Sequence, residues 1–482
     1  MEHDPRYVAL LILTESSRTR LPLDTILDQF APQLETLSKL DRSLANAIIY
    51  GTLRWQGTLD WIIEPFSDRR IETVKIEVAY ILRMAMFQIV FMDRIPVSAA
   101  VNTAVNMTKK VSHQGTAGFV NAVLRKASTY FKDIINSKEI ADFRDITSFK
   151  NIVLPDPKAE PELYISVTKS MPLWLVRRWI TRFGFDKTLR LCDTINTIPP
   201  ITIRANTLKT DRDKLISMYS ADVENIAPTK HSPDGISFTK PSMPIHESEP
   251  FKYGFFQVQD EAAQLVTIML NPLPGERILD ACAGLGGKTG HIAQLMKNQG
   301  VIIACDTDVQ KLVSLEKEMN RLGVDIVRTL CKDILKADLN DFYDVNSLSN
   351  LSKTNESVDI KLSDNSLLFD KVLVDAPCSG MGVLRRNPDA KWKRTKKDLA
   401  RLAIRQEKML LNSANLVKPG GTLFYAVCSC ETRENEDVVE SFLKQRPDFV
   451  VKKEFRTYPD SIEMDGFFAA LMERQINCPT AS

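Results

Sequence analysis

Two cysteine motifs and one glycine loop gather the reactive chemistry of this 482-residue chain. The first motif reads Asp375-Ala376-Pro377-Cys378-Ser379-Gly380-Met381-Gly382, the second Tyr425-Ala426-Val427-Cys428-Ser429-Cys430. Each follows a short apolar run of strand type, where an open α/β sheet places its ligands. A free cysteine is usually a small core hydrophobe, and that reading suits Cys192, Cys305, Cys331 and Cys478. It is weaker for Cys378 and Cys428, which end predicted strands beside Ser or Gly. Carbon 5 of a pyrimidine is too poor a nucleophile to take a methyl group directly. A thiolate added to carbon 6 makes carbon 5 enamine-like, and loss of the C5 proton later expels the thiolate. Such a thiol needs its pKa lowered by nearby cations or backbone dipoles.

The glycine loop is Asp280-Ala281-Cys282-Ala283-Gly284-Leu285-Gly286-Gly287-Lys288-Thr289. Glycines between a strand and a helix allow a tight turn and close approach of a ligand. A phosphate-binding P-loop is excluded because Cys282 stands where its first glycine belongs. A GxGxxG dinucleotide fingerprint fails at Thr289. Asp306 ends a second predicted strand and suits ribose hydroxyls, and Asp333 follows a third. Acids at successive strand ends and a single glycine loop suggest an adenosine ligand without phosphates, which S-adenosylmethionine fits. The competing reading is a generic turn with solvated acids.

Between the cysteine motifs lies a basic tract. Residues 385–408 carry ten basic side chains against Asp389, Asp398 and Glu407, net +7 in a chain of net +2. Arg385, Arg386, Lys391 and Lys393 are the expected contacts to an RNA phosphate backbone, with Trp392 for stacking or packing. A solvated helix face is the alternative for the helical part of the tract.

The elements that hold these motifs divide the chain. Hydrophobic residues are 44% and charged residues 26%, which excludes collagen-like, disordered and disulfide-scaffold chains. The eight cysteines form no CxxC pair, so no zinc knuckle is expected and no metal is called for. No apolar run spans a bilayer and no leader is visible at the N-terminus, so a cytoplasmic protein without membrane partners is expected. Residues 1–132 read as all helix, with Asp41 and Ser43 as N-cap candidates and helices at Ala99–Lys110 and Phe119–Lys126 punctuated by Gly115 and Gly118. Residues 133–165 read as a linker and 166–260 as a small α+β domain. Residues 261–476 alternate strand and helix, the pattern of a doubly wound, mainly parallel sheet, with 338–368 as a surface insertion.

These residues resemble the RNA cytosine-5 methyltransferases, most closely the RsmB/Sun family acting on 16S ribosomal RNA. Asp375 through Trp392 is similar to the family's motif IV, and Tyr425–Ser429 followed by Glu434-Asn435-Glu436 to its motif VI. Phe255–Asp260 resembles the approach to the cofactor domain, and Asp465-Gly466-Phe467-Phe468 the C-terminal strand motif. The helical residues 5–130 resemble NusB, a small RNA-binding protein, through Leu40-Asp41-Arg42, Gly51–Arg54, Ile95-Pro96-Val97 and Asn121–Arg125. The implied fold is multi-domain: an all-α NusB-like domain, a small α+β domain and a Rossmann-like S-adenosylmethionine-dependent methyltransferase domain. The resemblance implies that Cys428 attacks carbon 6 and that Cys378 assists proton removal and release. It implies cofactor contacts from Cys282, Ala283, Gly284, Leu285, Gly286, Gly287, Lys288, Asp306, Asp333 and Asp375, with Asp375 also near the cytosine. It implies a monomer that methylates cytosine 967 of 16S rRNA (standard rRNA numbering), as naked RNA or an early assembly intermediate. A tRNA or other rRNA target is one alternative, a catalytically silent RNA-binding protein another. Two departures stand out: Gly284-Leu285 replaces the family's usual Ala-Pro, and Val427 replaces its usual Thr. Cys430 is an extra thiol for which no catalytic role is expected.

Overall fold

A computed structural model describes residues 4–137, 153–342, 368–460 and 464–476. The chain forms two compact units, one of Met1–Thr197 with Leu384–Lys396, the other of Ile198–Val383 with Lys397–Ser482.

The first unit is helical, as the apolar spacing predicts. Its central helix Ile76–Phe91 is buried at every position from Val78 to Val90. A helix apolar on all sides needs partners on all sides, and Pro5–Arg18, Lys39–Ile63, Val97–Val111 and Gln114–Ser137 supply them. Two local expectations are corrected. The helix start near Asp41 is capped by Ser38, whose Oγ accepts from the Asp41 amide at 3.2 Å, so Asp41 and Ser43 lie inside the helix. Gly115 and Gly118 do not interrupt a helix either, because Gln114–Ser137 runs through both. The buried stripe Val120, Val123, Leu124, Ala127 and Phe131 has helical spacing and outweighs the ~1 kcal/mol that each interior glycine costs.

The stretch expected as a linker is entered by that last helix and closed by the helix Pro161–Thr168, while 138–152 lies outside the described residues. Pro161–Thr168, Leu173–Phe183 and Phe185–Ile195 group with the first unit, so the compact units divide the chain beyond residue 166.

The second unit contains two sheets. A four-stranded antiparallel sheet has β1 (Ile201–Ala205), β2 (Glu224–Pro228), β3 (Gly235–Thr239) and β4 (Phe256–Val258) in the order β2-β3-β1-β4. Ile203, Ile236, Phe238 and Phe256 pack there with Leu215 and Tyr219 of the helix Arg212–Tyr219.

The larger sheet comprises β5 (Arg277–Asp280), β6 (Val301–Asp306), β7 (Val327–Cys331), β8 (Phe369–Asp375), β9 (Val417–Val427), β10 (Phe449–Arg456) and β11 (Phe468–Arg474). Their order is β10-β11-β9-β8-β5-β6-β7, and only the β11 pairings are antiparallel. Successive residues of one strand enter two different cores. Leu279, Val372, Val374, Leu423 and Tyr425 join one, while Ile278, Leu373, Phe424 and Ala426 join the other. Both faces are covered, which is why these strands read as unbroken apolar runs. The chain proceeds from β5 outward to β6 and β7, then returns to β8 on the other side of β5. The crevice at the carboxyl ends of β5 and β8 is therefore the switch point where such sheets hold ligands. Of the expected insertion, 343–367 lies outside the described residues, and Phe342 at its edge is buried in the sheet's core.

Candidate active site

The glycine loop leaves β5 and turns into the helix Gly287–Leu295. Gly284 and Gly286 have φ of 55° and 85°, a left-handed backbone that favours glycine. A Cβ built at Gly284 or Gly287 would meet no protein atom within 4 Å, so the loop keeps open space above the helix N-terminus. Asp306 at the end of β6 fixes the loop, its Oδ2 accepting from the Gly284 amide at 3.0 Å. Its Oδ1 accepts from the Asp308 amide at 2.9 Å. This cradle suits an adenosine moiety: open backbone and a carboxylate at the second strand end. Asp333 sits just past β7, its Oδ1 accepting from the Leu335 amide at 3.1 Å.

A residue that the sequence reading passed over supports the loop from below. Arg204 of β1 is buried and donates to the side chains of Gln257 (2.8 Å), Gln259 and Gln294 (3.1 Å), and to the Gly287 carbonyl at 3.3 Å. Its only sequence signal is an arginine inside the apolar strand Ile201-Thr202-Ile203. Gln257 and Gln259 give the Phe255–Asp260 segment a physical role, because it supplies the acceptors for this buried guanidinium.

Lys288 reaches across the crevice to the end of β8, with its Nζ 2.6 Å from Asp375 Oδ2. Burial disfavours the ammonium, but the Asp375 carboxylate and its hydrogen bond outweigh that and leave the Lys288 pKa raised. The Cys428 thiol contributes in the same direction, so a fixed cation lies within electrostatic reach of that sulfur. Asp280 is buried, accepts from Thr289 Oγ1 at 2.7 Å, and is pushed up to about 7 chiefly by burial. Burial and the nearby acids hold the Cys282 thiol well above its ordinary value, which suits a loop residue and not a nucleophile.

The two cysteine motifs meet. β8 and β9 are parallel neighbours, and their ends carry Cys378 and Cys428 with sulfurs 3.1 Å apart. The hydrogen bond with Cys428, burial and the Glu434 carboxylate all push the Cys378 thiol well above its ordinary value. Cys430 lies beyond the end of β9 and is buried near Gly466, where an added Cβ would come within 2.6 Å of its sulfur. The same-face geometry that a continued strand would have given it does not arise.

Glu434 also escaped the sequence reading, except as a letter of the second motif. It is buried, and its carboxylate takes the Ser379 amide at 2.8 Å, the Ser429 hydroxyl at 2.6 Å, the Gln406 amide at 3.1 Å and the Ser379 hydroxyl.

The basic tract is placed differently from its expected role. Leu384–Lys396 belongs to the first unit. Arg385 and Lys391 are 0% and 1% exposed. Lys391 Nζ donates to the Arg54 carbonyl at 2.7 Å, and Arg54 donates to the Arg385 carbonyl at 2.9 Å. Trp392 Nε1 donates to the Leu53 carbonyl at 2.7 Å, and Lys393 pairs with Asp389 at 3.1 Å and bonds the Leu21 carbonyl. Arg386 is half-buried. A charge count along the chain cannot see burial, and here Lys391 spends its head on a backbone carbonyl and the Arg385 side chain is buried, so neither is presented to a phosphate. Lys391 is pulled well below its ordinary value by burial.

A doubly wound sheet with β11 antiparallel, a glycine cradle and an acid closing the second strand define an S-adenosylmethionine-dependent methyltransferase. Comparison with known proteins makes the assignment specific. The chain matches the NusB family over residues 3–129, the Methyltr_RsmF/B-like ferredoxin-like domain over 171–246, and 16S rRNA methyltransferase RsmB/F over 267–473. It is 34% identical over 414 residues to the probable ribosomal RNA small subunit methyltransferase B of Bacillus subtilis (strain 168), covering 86% of this chain and 82% of that one. The probable enzyme of the same name from Synechocystis sp. is 33% identical over 446 residues, covering 92% and 90%. Among solved structures, the crystal structure of PH0851 superposes with a TM-score of 0.74 at 26% identity, covering 98% of this chain and 99% of that one. A methyltransferase homolog from Pyrococcus horikoshii gives 0.53 at 25% identity, covering 66% and 100%. The chain belongs to the ribosomal RNA small subunit methyltransferase B family. Its three parts are the NusB helical domain, the ferredoxin-like domain and the Rossmann-like methyltransferase domain. Among the described residues no helix is long and apolar enough to cross a membrane.

Proposed function

We propose that the enzyme methylates carbon 5 of a cytosine in 16S rRNA, cytosine 967 by the family resemblance, through a covalent bond between Cys428 and carbon 6. The observation that carries this reading is the pair of thiols 3.1 Å apart at the ends of β8 and β9, beside the cofactor cradle. A direct methyl transfer to an already nucleophilic atom has no use for two such cysteines. Bound S-adenosylmethionine supplies an electrophilic methyl group on a sulfonium centre. The target cytosine leaves its stack to enter the crevice. The Cys428 thiolate adds to carbon 6, and carbon 5 takes the methyl group. Carbon 5 then loses its proton to a base, and the Cys428 sulfur departs as carbons 5 and 6 regain their double bond. Lys288, held by Asp375, offers positive charge near the attacking sulfur. Cys378, its sulfur 3.1 Å from that of Cys428, assists release by supplying a proton to the departing sulfur; a role as base requires it to give up that proton first. The residues Cys282–Lys288, Asp306, Asp333 and Asp375 are the proposed cofactor contacts. A cytoplasmic monomer working on naked rRNA or an early assembly intermediate completes the reading.

With Arg385 and Lys391 buried, the RNA needs another basic surface. The first unit offers one. From Arg94 to Lys132 there are six basic residues and no acid. Within this tract the helices Val97–Val111 and Gln114–Ser137 border a groove of about 430 Å³, lined among others by Asn102, Asn106, Lys109, Gln114, Asn121 and Arg125. Amides suit base edges and the two cations suit phosphates. Replacing Lys109 and Arg125 together by alanine should weaken rRNA binding and reduce the slope of log affinity against log salt by about 1.4 for a single strand. Fluorescence anisotropy across a salt series measures this, and an unchanged slope would remove the groove from the RNA path.

The reading itself is tested by incubating the protein with labelled S-adenosylmethionine and unmodified 16S rRNA, followed by bisulfite sequencing. One new 5-methylcytosine at position 967 is expected. Methylation of a tRNA instead would overturn the substrate, and methylation of a nitrogen would overturn the chemistry.

A further inference from the structure

Glu434 is 0% exposed, and no ion pair reaches it among the described residues. Four donors satisfy it instead. Its Oε1 accepts from the Ser379 amide at 2.8 Å and Gln406 Nε2 at 3.1 Å, its Oε2 from Ser429 Oγ at 2.6 Å and from Ser379 Oγ. Ser379 Oγ also accepts from the Met381 amide at 3.4 Å and Ser429 Oγ from the Glu431 amide at 3.2 Å, and the two hydroxyl oxygens lie 3.4 Å apart. Further bonds hold this clamp in place. The Tyr425 hydroxyl donates to the Glu434 carbonyl at 2.6 Å, Gln406 Nε2 also reaches the Pro377 carbonyl at 3.0 Å, and Asn435 Nδ2 donates to the Ser429 carbonyl at 3.2 Å.

Ser379 follows Cys378 directly and Ser429 follows Cys428. One carboxylate thus grips the residue after each thiol, on loops that leave two different strands. We infer that Glu434 is the positioning residue of the cysteine pair: it fastens Ser379 to Ser429 so that the two sulfurs face each other. Glu434 touches neither sulfur and acts through the serines and through the field. The charged and titratable groups about Cys378 are Cys428 and Tyr425 from β9 and its end, Glu434 from the 3-10 turn Thr432–Glu434, and Asp375 from β8. Lys288 acts on the Cys428 side. Glu434 is among the groups that raise Cys378, so removing its charge moves that thiol downward. The kinetic part of this inference rests on the cytosine-5 reading above, whereas the thiol chemistry does not.

The test compares Glu434→Gln, which keeps the shape without the charge, with Glu434→Asp, which keeps the charge but falls a methylene short. Both are read in a Cys428→Ser background, where mass spectrometry follows iodoacetamide labelling of the Cys378 peptide against pH. With Glu434 in place the peptide should label only at a higher pH than an unperturbed thiol, which titrates near 8.5, because burial and the Glu434 charge still hold it up once Cys428 is gone. Glu434→Gln should shift the labelling midpoint to lower pH, and Glu434→Asp should not. With Cys428 restored, both variants should lose kcat by roughly 10²-fold for misplaced reacting groups, with the KM for RNA and the affinity for S-adenosylmethionine unchanged. A labelling profile unmoved by Glu434→Gln overturns the inference whatever the activity, provided thermal unfolding shows the variant folded. Because that profile needs no RNA, its failure is separable from failure of the cytosine-5 reading.

Discussion

Cys428→Ser abolishes methyl transfer and any covalent RNA adduct. The substitution is nearly isosteric at a half-buried position, so the fold and the glycine cradle on β5 remain. What changes is the nucleophile. A thiol titrates near 8.5 and its anion attacks carbon 6 readily, whereas a serine hydroxyl is essentially never ionised at neutral pH. The expected loss in kcat is at least ~10⁴-fold, the size seen when a nucleophile is removed and only binding groups remain. Tritium incorporation from labelled S-adenosylmethionine into rRNA measures it, and calorimetry should find cofactor affinity unchanged. Residual turnover above that bound would take Cys428 out of the covalent step.

Cys378→Ala behaves in the opposite way and traps the enzyme on its product. Attack by Cys428 needs no proton from Cys378, so the adduct still forms. Its breakdown leaves a thiolate at Cys428, and the thiol that would protonate it 3.1 Å away is gone. Loss of such a proton donor typically costs 10²–10⁴-fold, so turnover should fall by about that factor while a covalent enzyme–RNA band accumulates on a denaturing gel. The pH dependence has a defined sign. The Cys428 hydrogen bond and burial raise Cys378 well above its ordinary value, so the proton it donates is withdrawn only above the ordinary thiol range. Turnover limited by release should therefore decline on the alkaline side, and the alanine variant should lack that limb. Should Cys428→Ser give the adduct and Cys378→Ala none, the two roles are exchanged.

Much of the methyltransferase domain was legible because its strands are covered on both faces. Short apolar runs such as Val301–Ala304 and Val372–Val374 carry that signal without any tertiary information. The sequence placed both cysteines at strand ends; that those strands are parallel neighbours with the sulfurs 3.1 Å apart depends on the strand order, which spacing along the chain does not give. Three features were not legible, each for a physical reason. The helix through Gly115 and Gly118 is decided by a stripe of five buried side chains that outweighs two weak local preferences. The burial of Arg385 and Lys391 depends on Arg54, more than three hundred residues away in the chain, whose carbonyl and guanidinium they meet. Arg204 and Glu434 are charged residues whose partners are amides, hydroxyls and backbone groups, and no spacing rule connects an isolated charge with such donors and acceptors.

The central claim is that Cys428 bonds to carbon 6 of a cytosine, and the most direct test catches that bond. RNA carrying 5-fluorocytidine at the target position accepts the thiolate and the methyl group but has no C5 proton to lose, so the adduct cannot resolve. After incubation with S-adenosylmethionine and digestion with nuclease and protease, mass spectrometry identifies the cysteine that carries the nucleotide. One modified peptide is expected, containing Cys428, with a methylated fluoropyrimidine attached. A nucleotide on Cys378, or methylated RNA with no protein attached, would contradict it.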